Sequence, residues 1–376
     1  MTTEIRRAET PDNLQDLHQP DTYLDWQKKE GVKVIVDFAF EDLRALELGD
    51  WERKGGRGAI INIPNLFLPN DAQIVEIRPG GKSVPEHHLY EEMVYILSGR
   101  GATSVWLDES RRQNFEWQEG SLFAIPVNAW YQHFNGSGSE PARYVAVTNA
   151  PPVMRQWRNL DFIFKNPFQF TDRFSGEQDY FSGKGKLHTH RKLLTNFVAN
   201  AIDMPLYDYL TRGADGINSH IHMANNVTGT HISEFPVGTY KKAHRHGPGA
   251  HLLILSGTGY SLLWNQEDRS DMRKADWKVG GMVIVPAEAT FHQHFNTGKE
   301  RARYLALRSG TGLVNSQRQS DVSIEENGWQ IEYPNEDRQI HEIFERDLKK
   351  RGAPCRMKAF IPWCTGEVGP TSKRNT

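Results

Sequence analysis

The chain states one pattern twice, and the second statement is far richer in histidine. Residues 86–135 contain EHHLYEEMVYILSGRG and then WQEGSLFAIPVNAWYQHFN; residues 244–296 contain HRHGPGAHLLILSGTG and then WKVGGMVIVPAEATFHQHFN. The offset is steady: 158 positions from Gly99 to Gly257, 160 from Trp117 to Trp277 and 161 from His133 to His294. A period that long marks a duplicated domain, because solenoid units repeat every ~20–50 residues. The second copy carries His244, His246, His251, His292 and His294 where the first has Glu86, His88, Met93, Tyr131 and His133. The asymmetry points to one metal site, in the C-terminal half.

Both copies are built from short β-rich runs punctuated by glycine, such as AIINI, AQIVEI, MVYILSG and SLFAIP, then GTHISEF, HLLILSG and GMVIVP. Turn signals every ~8–12 residues indicate antiparallel sandwiches or barrels. A chain of 376 residues accommodates two such cores with extensions. The expected fold is therefore all-β, two tandem antiparallel barrels of jelly-roll type with short helical extensions at both termini. The expected boundaries are 1–56 for an N-terminal helical extension, 57–150 for the first barrel and 151–213 for an aromatic-rich connector. The second barrel is expected over 214–312 and a C-terminal extension over 313–376.

Residues 11–30 read as one or two polar surface helices without a core of their own. The phenylalanines of the connector read as a seam between the barrels, with the roof of a substrate pocket as the alternative. In NEDRQIHEIFERDLKKRG, Asn335 is a candidate N-cap, Ile340, Ile343, Phe344 and Leu348 make an apolar stripe, and Gly352 stops the helix. Such a helix covers a barrel or joins a subunit interface.

Several function classes are excluded at this stage. Net charge is −2 with scattered basic residues, so no nucleic-acid footprint is expected. No run of 18 apolar residues exists and the N-terminus has no apolar signal core, so a cytoplasmic protein without a membrane partner is expected. Cys355 and Cys364 are expected as reduced thiols, although they could pair. The SGRG and SGTG segments follow one strand and precede another, so they read as hairpin turns and not as phosphate loops.

The histidines carry the chemistry. His244 and His246 stand two apart, which on a strand places both on one face. His251 follows a Gly-Pro-Gly turn that could fold it back, and an antiparallel neighbour could bring His292 opposite the first pair. Three or four imidazoles without a thiolate disfavour Mg²⁺ and Ca²⁺ and favour one first-row transition metal, Fe, Mn, Ni, Cu or Zn. His294, two residues after His292, is the candidate catalytic proton-transfer group, against an equal chance that it only packs. His220, His222 and His231 are candidate orienting groups. Arg245 is expected to point outward, and one of Arg301, Arg303 and Arg308 could meet a carboxylate substrate.

This spacing resembles the cupin superfamily, whose first motif is G-x5-H-x-H-x3/4-E-x6-G and whose second is G-x5-P-x-G-x2-H-x3-N. Gly238 followed after five residues by His244-x-His246 matches the first motif, and Gly280-x5-Pro286 with His292-x3-Asn296 matches the second. His251 falls where the family's glutamate would stand, unless Ala250 holds that position and leaves only His244, His246 and His292. Glu288 replaces the glycine of the second motif. The first copy matches with Glu86, His88 and Glu92 after Gly80, while Tyr131 replaces the second-motif histidine. That set, with His133 near, could hold a hard cation, but Trp130 and Tyr131 suggest a filled, mainly structural barrel.

The resemblance implies a two-barrel protein acting on a small-molecule substrate, commonly as a homo-oligomer. The missing carboxylate suits a non-haem Fe(II) dioxygenase acting on an aromatic, enolisable or oxo-acid substrate. A Mn- or Zn-dependent decarboxylase, isomerase or aminohydrolase is the alternative, with His294 or Glu288 moving protons. Two-barrel decarboxylases, however, keep a histidine-plus-glutamate set in both halves. A non-catalytic ligand-binding protein is the third reading.

Overall fold

The computed structural model describes residues 20–63, 69–247, 249–265, 267–287, 290–308 and 319–366. Glu288 and the first part of the expected N-terminal extension, residues 1–19, lie outside the described residues.

Near-continuous apolar runs of four to seven residues generate the larger-sheet strands, which are buried on both faces. The first barrel's larger sheet places Gly56–Asn62, Asp71–Ile77, Ala142–Thr148, Glu92–Ser98 and Leu122–Ile125 side by side, and its smaller sheet orders Trp130–Asn135, Arg100–Trp106 and Arg112–Gln118. The second barrel repeats that order with Ile217–His222, Gly229–Phe235, Ala302–Arg308, Ala250–Ser256 and Met282–Val285. Its smaller sheet is Phe291–Asn296, Gly259–Trp264 and Arg273–Trp277. The all-β expectation holds strand for strand. SGRG and SGTG are not hairpin turns, since Gly99 and Gly257 sit where the chain leaves the larger sheet for the smaller. Both have φ in the left-handed region, at 89° and 82°.

The barrels share a core and exchange strands. Met93, Tyr95 and Leu97 of the first pack in one apolar cluster with Leu253, Leu255, Leu305 and Leu307 of the second. Ala39–Phe40 pairs with Met282–Val285 in the second barrel, and Phe197–Val198 pairs with Leu122–Ile125 in the first. The N-terminal segment is thus not a helical extension without a core. Helix α1 (Thr22–Glu30), capped by Asp21, buries Tyr23 and Trp26 in the first barrel's aromatic core. Lys33–Val36 and Gly49–Trp51 extend that barrel's larger sheet.

The connector phenylalanines form no seam between the barrels. Beyond two short helices, α2 (Ala150–Trp157) and α3 (Leu160–Phe164), Phe174 and Phe181 pack on the first barrel, and Phe181 stacks on Phe115 at 4.1 Å. Phe162 and Phe168 are exposed. The seam itself is mainly aliphatic.

The C-terminal helix, α4 (Arg338–Arg351), is capped by Asp337 rather than Asn335 and ends at Gly352, whose φ is 65°. Its Ile340, Phe344 and Leu348 bury against Tyr240, Tyr260 and Phe295 of the second barrel. No described helix is long and apolar enough to cross a membrane.

Candidate metal centre

His244 and His292 face each other across a two-residue antiparallel bridge, with His244 N–H donating to the His292 carbonyl at 3.1 Å and the reverse bond at 2.9 Å. Their rings lie 4.2 Å apart, and the His246 ring is 4.7 Å from His292 and 5.7 Å from His244. One ligand atom from each of the three lies within 4.8 Å of the others. Nδ1 of His244 bonds the Lys242 carbonyl at 3.1 Å and Nδ1 of His292 bonds the Thr290 carbonyl at 3.2 Å. Both contacts fix the tautomer and leave the Nε2 lone pairs for a shared ion, the usual arrangement around histidine ligands. Burial, then the Arg212 guanidinium, pushes His244 well below the ordinary imidazole range, and burial pushes His292 down to about 3. Burial, then Arg308, does the same for His246. Neutral imidazoles are the ligating form, so this donor set fits a first-row transition metal.

His251 does not join them. Its register partners are Ile284 and Leu307, both in the core between the barrels, and its strand neighbours of the same parity, Leu253 and Leu255, lie there too. Ala250 has the opposite parity and faces the interior of the second barrel with Leu252 and Ile254. Alanine therefore occupies the place of the expected glutamate, and His251 points to the other face of the sheet. Gly249, at φ 66° and with Val285 O only 2.6 Å from where a Cβ would sit, lets the loop re-enter the sheet and does not return His251 to the cluster.

Around His244 and His246 lies a small cavity of about 30 Å³, walled by Arg212, Lys241, Arg308, Tyr209, Tyr304, Asn218, His220, His231 and Ser233. That volume holds one or two waters. No carboxylate stands among these described lining residues. Lys241, flanking the motif in sequence, turns inward: its ammonium contacts Ser233 Oγ at 2.5 Å and Tyr304 OH at 3.1 Å. Arg301 and Arg303 instead bind Glu234, and Arg303 also reaches the Met204 carbonyl at 3.1 Å, so of the three expected candidates only Arg308 lines the cavity. Arg245 lies over the Phe291 ring. His222 instead lines a roomier cleft of about 620 Å³ beside Tyr180 and Asn226. Arg212, from a short turn before the barrel, had no sequence signal.

His294 lies on the same strand as His292, its ring 5.5 Å away. Its Nδ1 bonds Ser261 Oγ at 2.8 Å, and the Trp277 indole N–H donates to that hydroxyl at 3.1 Å. The first barrel repeats the device: His133 Nδ1 meets Thr103 Oγ1 at 2.7 Å, and Trp117 donates to it at 2.9 Å. Tyr304 and Tyr144 lie against the two histidines at 5.1 and 5.0 Å. Because the barrel without a histidine cluster builds the same trio, packing suffices to explain where His294 sits. The repeated offset of Trp, Ser/Thr and Tyr was the available signal.

The first barrel fills the corresponding space with its own ions. Lys54, from the turn before Gly56–Asn62, contacts Glu86 at 2.5 Å and Tyr131 OH at 3.2 Å. Tyr131 OH lies 2.8 Å from Glu86 and 2.9 Å from Glu92, and His88 Nε2 is 3.0 Å from Glu92. Burial pushes the Glu92 carboxyl up, but Lys54 and the bond to His88 outweigh it and hold it at about 2. A buried ammonium supplies the positive charge there.

Residues 73–148 match the family model described as "Cupin domain". No curated protein sequence matches the chain. Among solved structures, an oxalate decarboxylase variant from Bacillus subtilis is 13% identical over 76% of this chain and 80% of its own, with a TM-score of 0.47. Oxalate decarboxylase from Lactobacillus farciminis is 12% identical over 73% and 87%, also at 0.47, and hazelnut (Corylus avellana) vicilin is 11% identical over 73% and 85%, at 0.45. Likeness this distant speaks to neither substrate nor reaction. Residues 73–148 of the first barrel are thus similar to a cupin domain, and the second barrel repeats the first barrel's strand order.

Proposed function

We propose that the second barrel is a metal-dependent enzyme site for a small anionic substrate, with His244, His246 and His292 holding one first-row transition metal. The observation that carries this reading is the wall of the cavity: His244 and His246, which converge with His292, stand beside Arg212, Arg308 and Lys241 with no carboxylate among the described lining residues. Neutral ligands leave the full charge on the ion; Arg308 and Arg212, the latter paired with Asp321 at 2.9 Å, stand beside it, while burial and then Arg212 pull Lys241 down to about 7. Such a field is balanced by carboxylates or an enolate brought by the substrate. When bound, the metal supplies Lewis-acid polarisation of a substrate oxygen. Arg308 binds and orients the anion, Arg212 is held at the wall by Asp321 and Gln330, and Lys241, seated on the Ser233 and Tyr304 hydroxyls and brought down to about 7 by burial, exchanges a proton there. His294 packs beside His292 and supports its ring.

Decarboxylation or isomerisation of a small oxo acid or dicarboxylate uses all of these groups, since each reaction passes through a carbanion or enolate that must be protonated. A non-haem Fe(II) dioxygenase is the second reading, favoured by the all-imidazole donor set. The test is metal analysis of chain purified without added metal, followed by turnover of oxo acids and dicarboxylates under argon and under air. Anaerobic turnover with about one Mn or Zn ion in the barrel supports the first reading. Iron with strictly O₂-coupled turnover replaces it with the second, and a barrel that takes up no metal removes both.

A further inference from the structure

A second cluster of metal-binding side chains lies outside the barrel, where α4 meets the C-terminal segment. His341 and Glu345 stand one turn apart on α4, with His341 Nε2 3.1 Å from Glu345 Oε1. Two sulfurs converge on that pair: Cys355 Sγ is 4.0 Å from His341 Nε2, Cys364 Sγ is 3.7 Å from Glu345 Oε1, and the sulfurs are 3.5 Å apart. All four ligand atoms lie within 4.8 Å of one another.

We infer that His341, Glu345, Cys355 and Cys364 form a structural zinc site that staples the C-terminal segment onto α4. Zinc takes thiolate at ~2.3 Å and imidazole or carboxylate at ~2.0–2.2 Å in a tetrahedron, whose edges are then ~3.3–3.8 Å. The observed separations of 3.1–4.0 Å scatter about those edges. Two sulfurs this close also suit a disulfide, but a disulfide does not account for an imidazole nitrogen and a carboxylate oxygen aimed at the same point. The surroundings fit an ion as well. Tyr240 OH donates to Glu336 at 2.6 Å, so its lone pair is free to accept from His341 Nδ1–H at 3.1 Å, which leaves Nε2 as the ligating atom. The Gly366 N–H donates to Cys364 Sγ at 3.3 Å. Residues 353–366 contain turns but no helix or strand; Met357 and Ile361 anchor them in the core beside α4, and a metal would add a second anchor at Cys355 and Cys364.

The site also touches the barrel through one hydrogen-bonded path. Glu336, which accepts from Tyr240, accepts from Gln293 as well at 2.5 Å, and Gln293 lies between His292 and His294. Zinc at α4 would thereby hold the strand that carries the barrel's cluster, although its own existence does not depend on any metal in the barrel.

The experiment is replacement of the bound metal in the full chain by Co(II), read by optical absorption. A tetrahedral site with two thiolates gives an intense sulfur-to-cobalt charge-transfer band, which an all-imidazole barrel site cannot produce. The band is expected in the wild type and in His292→Ala, and lost in Cys355→Ser and in His341→Gln. In parallel, a mercurial that titrates thiols should release about one equivalent of zinc per chain, the stoichiometry of a single four-ligand site. Absence of the cobalt–sulfur band in wild-type protein that stays folded overturns the inference. So does intact mass showing Cys355 and Cys364 joined by a disulfide in protein purified without oxidant. Should either single variant fail to fold, the wild-type band and zinc release decide alone.

Discussion

At position 250 the second barrel has alanine where the first has Glu92, and at 292 it has histidine where the first has Tyr131. Under the proposed function these exchanges decide which barrel takes an external cation. The first barrel pairs its acids with Lys54; the second keeps three imidazoles and has no internal anion at that position. His292→Ala should therefore abolish metal retention in the barrel, whereas His88→Ala should leave it intact, as elemental analysis of both variants made in the Cys355→Ser background will show. Equal loss in both would mean that the first barrel also holds an ion. Lys241→Met should keep the metal and lower kcat by roughly 10²–10⁴-fold, the usual worth of a positioned proton donor; unchanged turnover would remove Lys241 from the chemistry.

The buried ions of the first barrel also predict an acid response. Burial pushes His133 down to about 4, below its unfolded value near 6.5, so the unfolded chain binds the extra proton first and stability falls as pH drops from 6.5 to 4. Glu92, held at about 2 against 4.5, contributes stability above pH 4.5 that is lost as pH falls towards 2. Urea midpoints of the wild type should therefore decline across the whole range. Glu92→Gln should start lower at neutral pH but be flatter between pH 4.5 and 2; an unchanged acid limb would show that Glu92 is not held by Lys54 in solution.

Among elements, the sheet-to-sheet corners are the most constrained. A Cβ on Gly257 would lie 2.8 Å from the Ala302 Cα, in a backbone region costly to other residues, and Gly99 meets Ala142 at the same distance. Gly257→Ala should cost about 2–4 kcal/mol, combining backbone strain with overpacking. Gly138→Ala, where nothing lies within 4 Å of the new carbon, is the matched control and should be close to neutral. A chemical-denaturation pair showing equal effects would contradict the corner geometry. Helix α4 was readable from its stripe of Ile340, Phe344 and Leu348. Its cap was not, because Asn335 and Asp337 are both good capping residues and only the path of the preceding turn chooses between them.

For the whole molecule, the shared aliphatic core and the exchanged strands make the barrels one folding unit. Leu253→Ala, at the centre of that core, should cost about 2–5 kcal/mol, and both barrels should still unfold together. Two well-separated transitions, one per barrel, would show that the seam carries little energy.

The sequence by itself determined the duplication, the β-rich jelly-roll architecture and the concentration of histidine in one half, because spacing and periodicity are short-range properties written into contiguous residues. It also placed His244 and His246 on one face and brought His292 opposite them, since a two-residue spacing and one antiparallel return suffice. Tertiary structure alone decided the rest. Whether His251 or Ala250 faces the barrel depends on strand register, where one position reverses the side of the sheet. Arg212 reaches the cavity from a distant turn, Lys241 turns inward to meet Ser233 and Tyr304, and Lys54 pairs with Glu86 in the first barrel. The pairing of Ala39–Phe40 with the far barrel and the meeting of α4 with Cys355 and Cys364 are likewise contacts between separated segments. No local pattern encodes them, because their energy exists only once the sheets have closed.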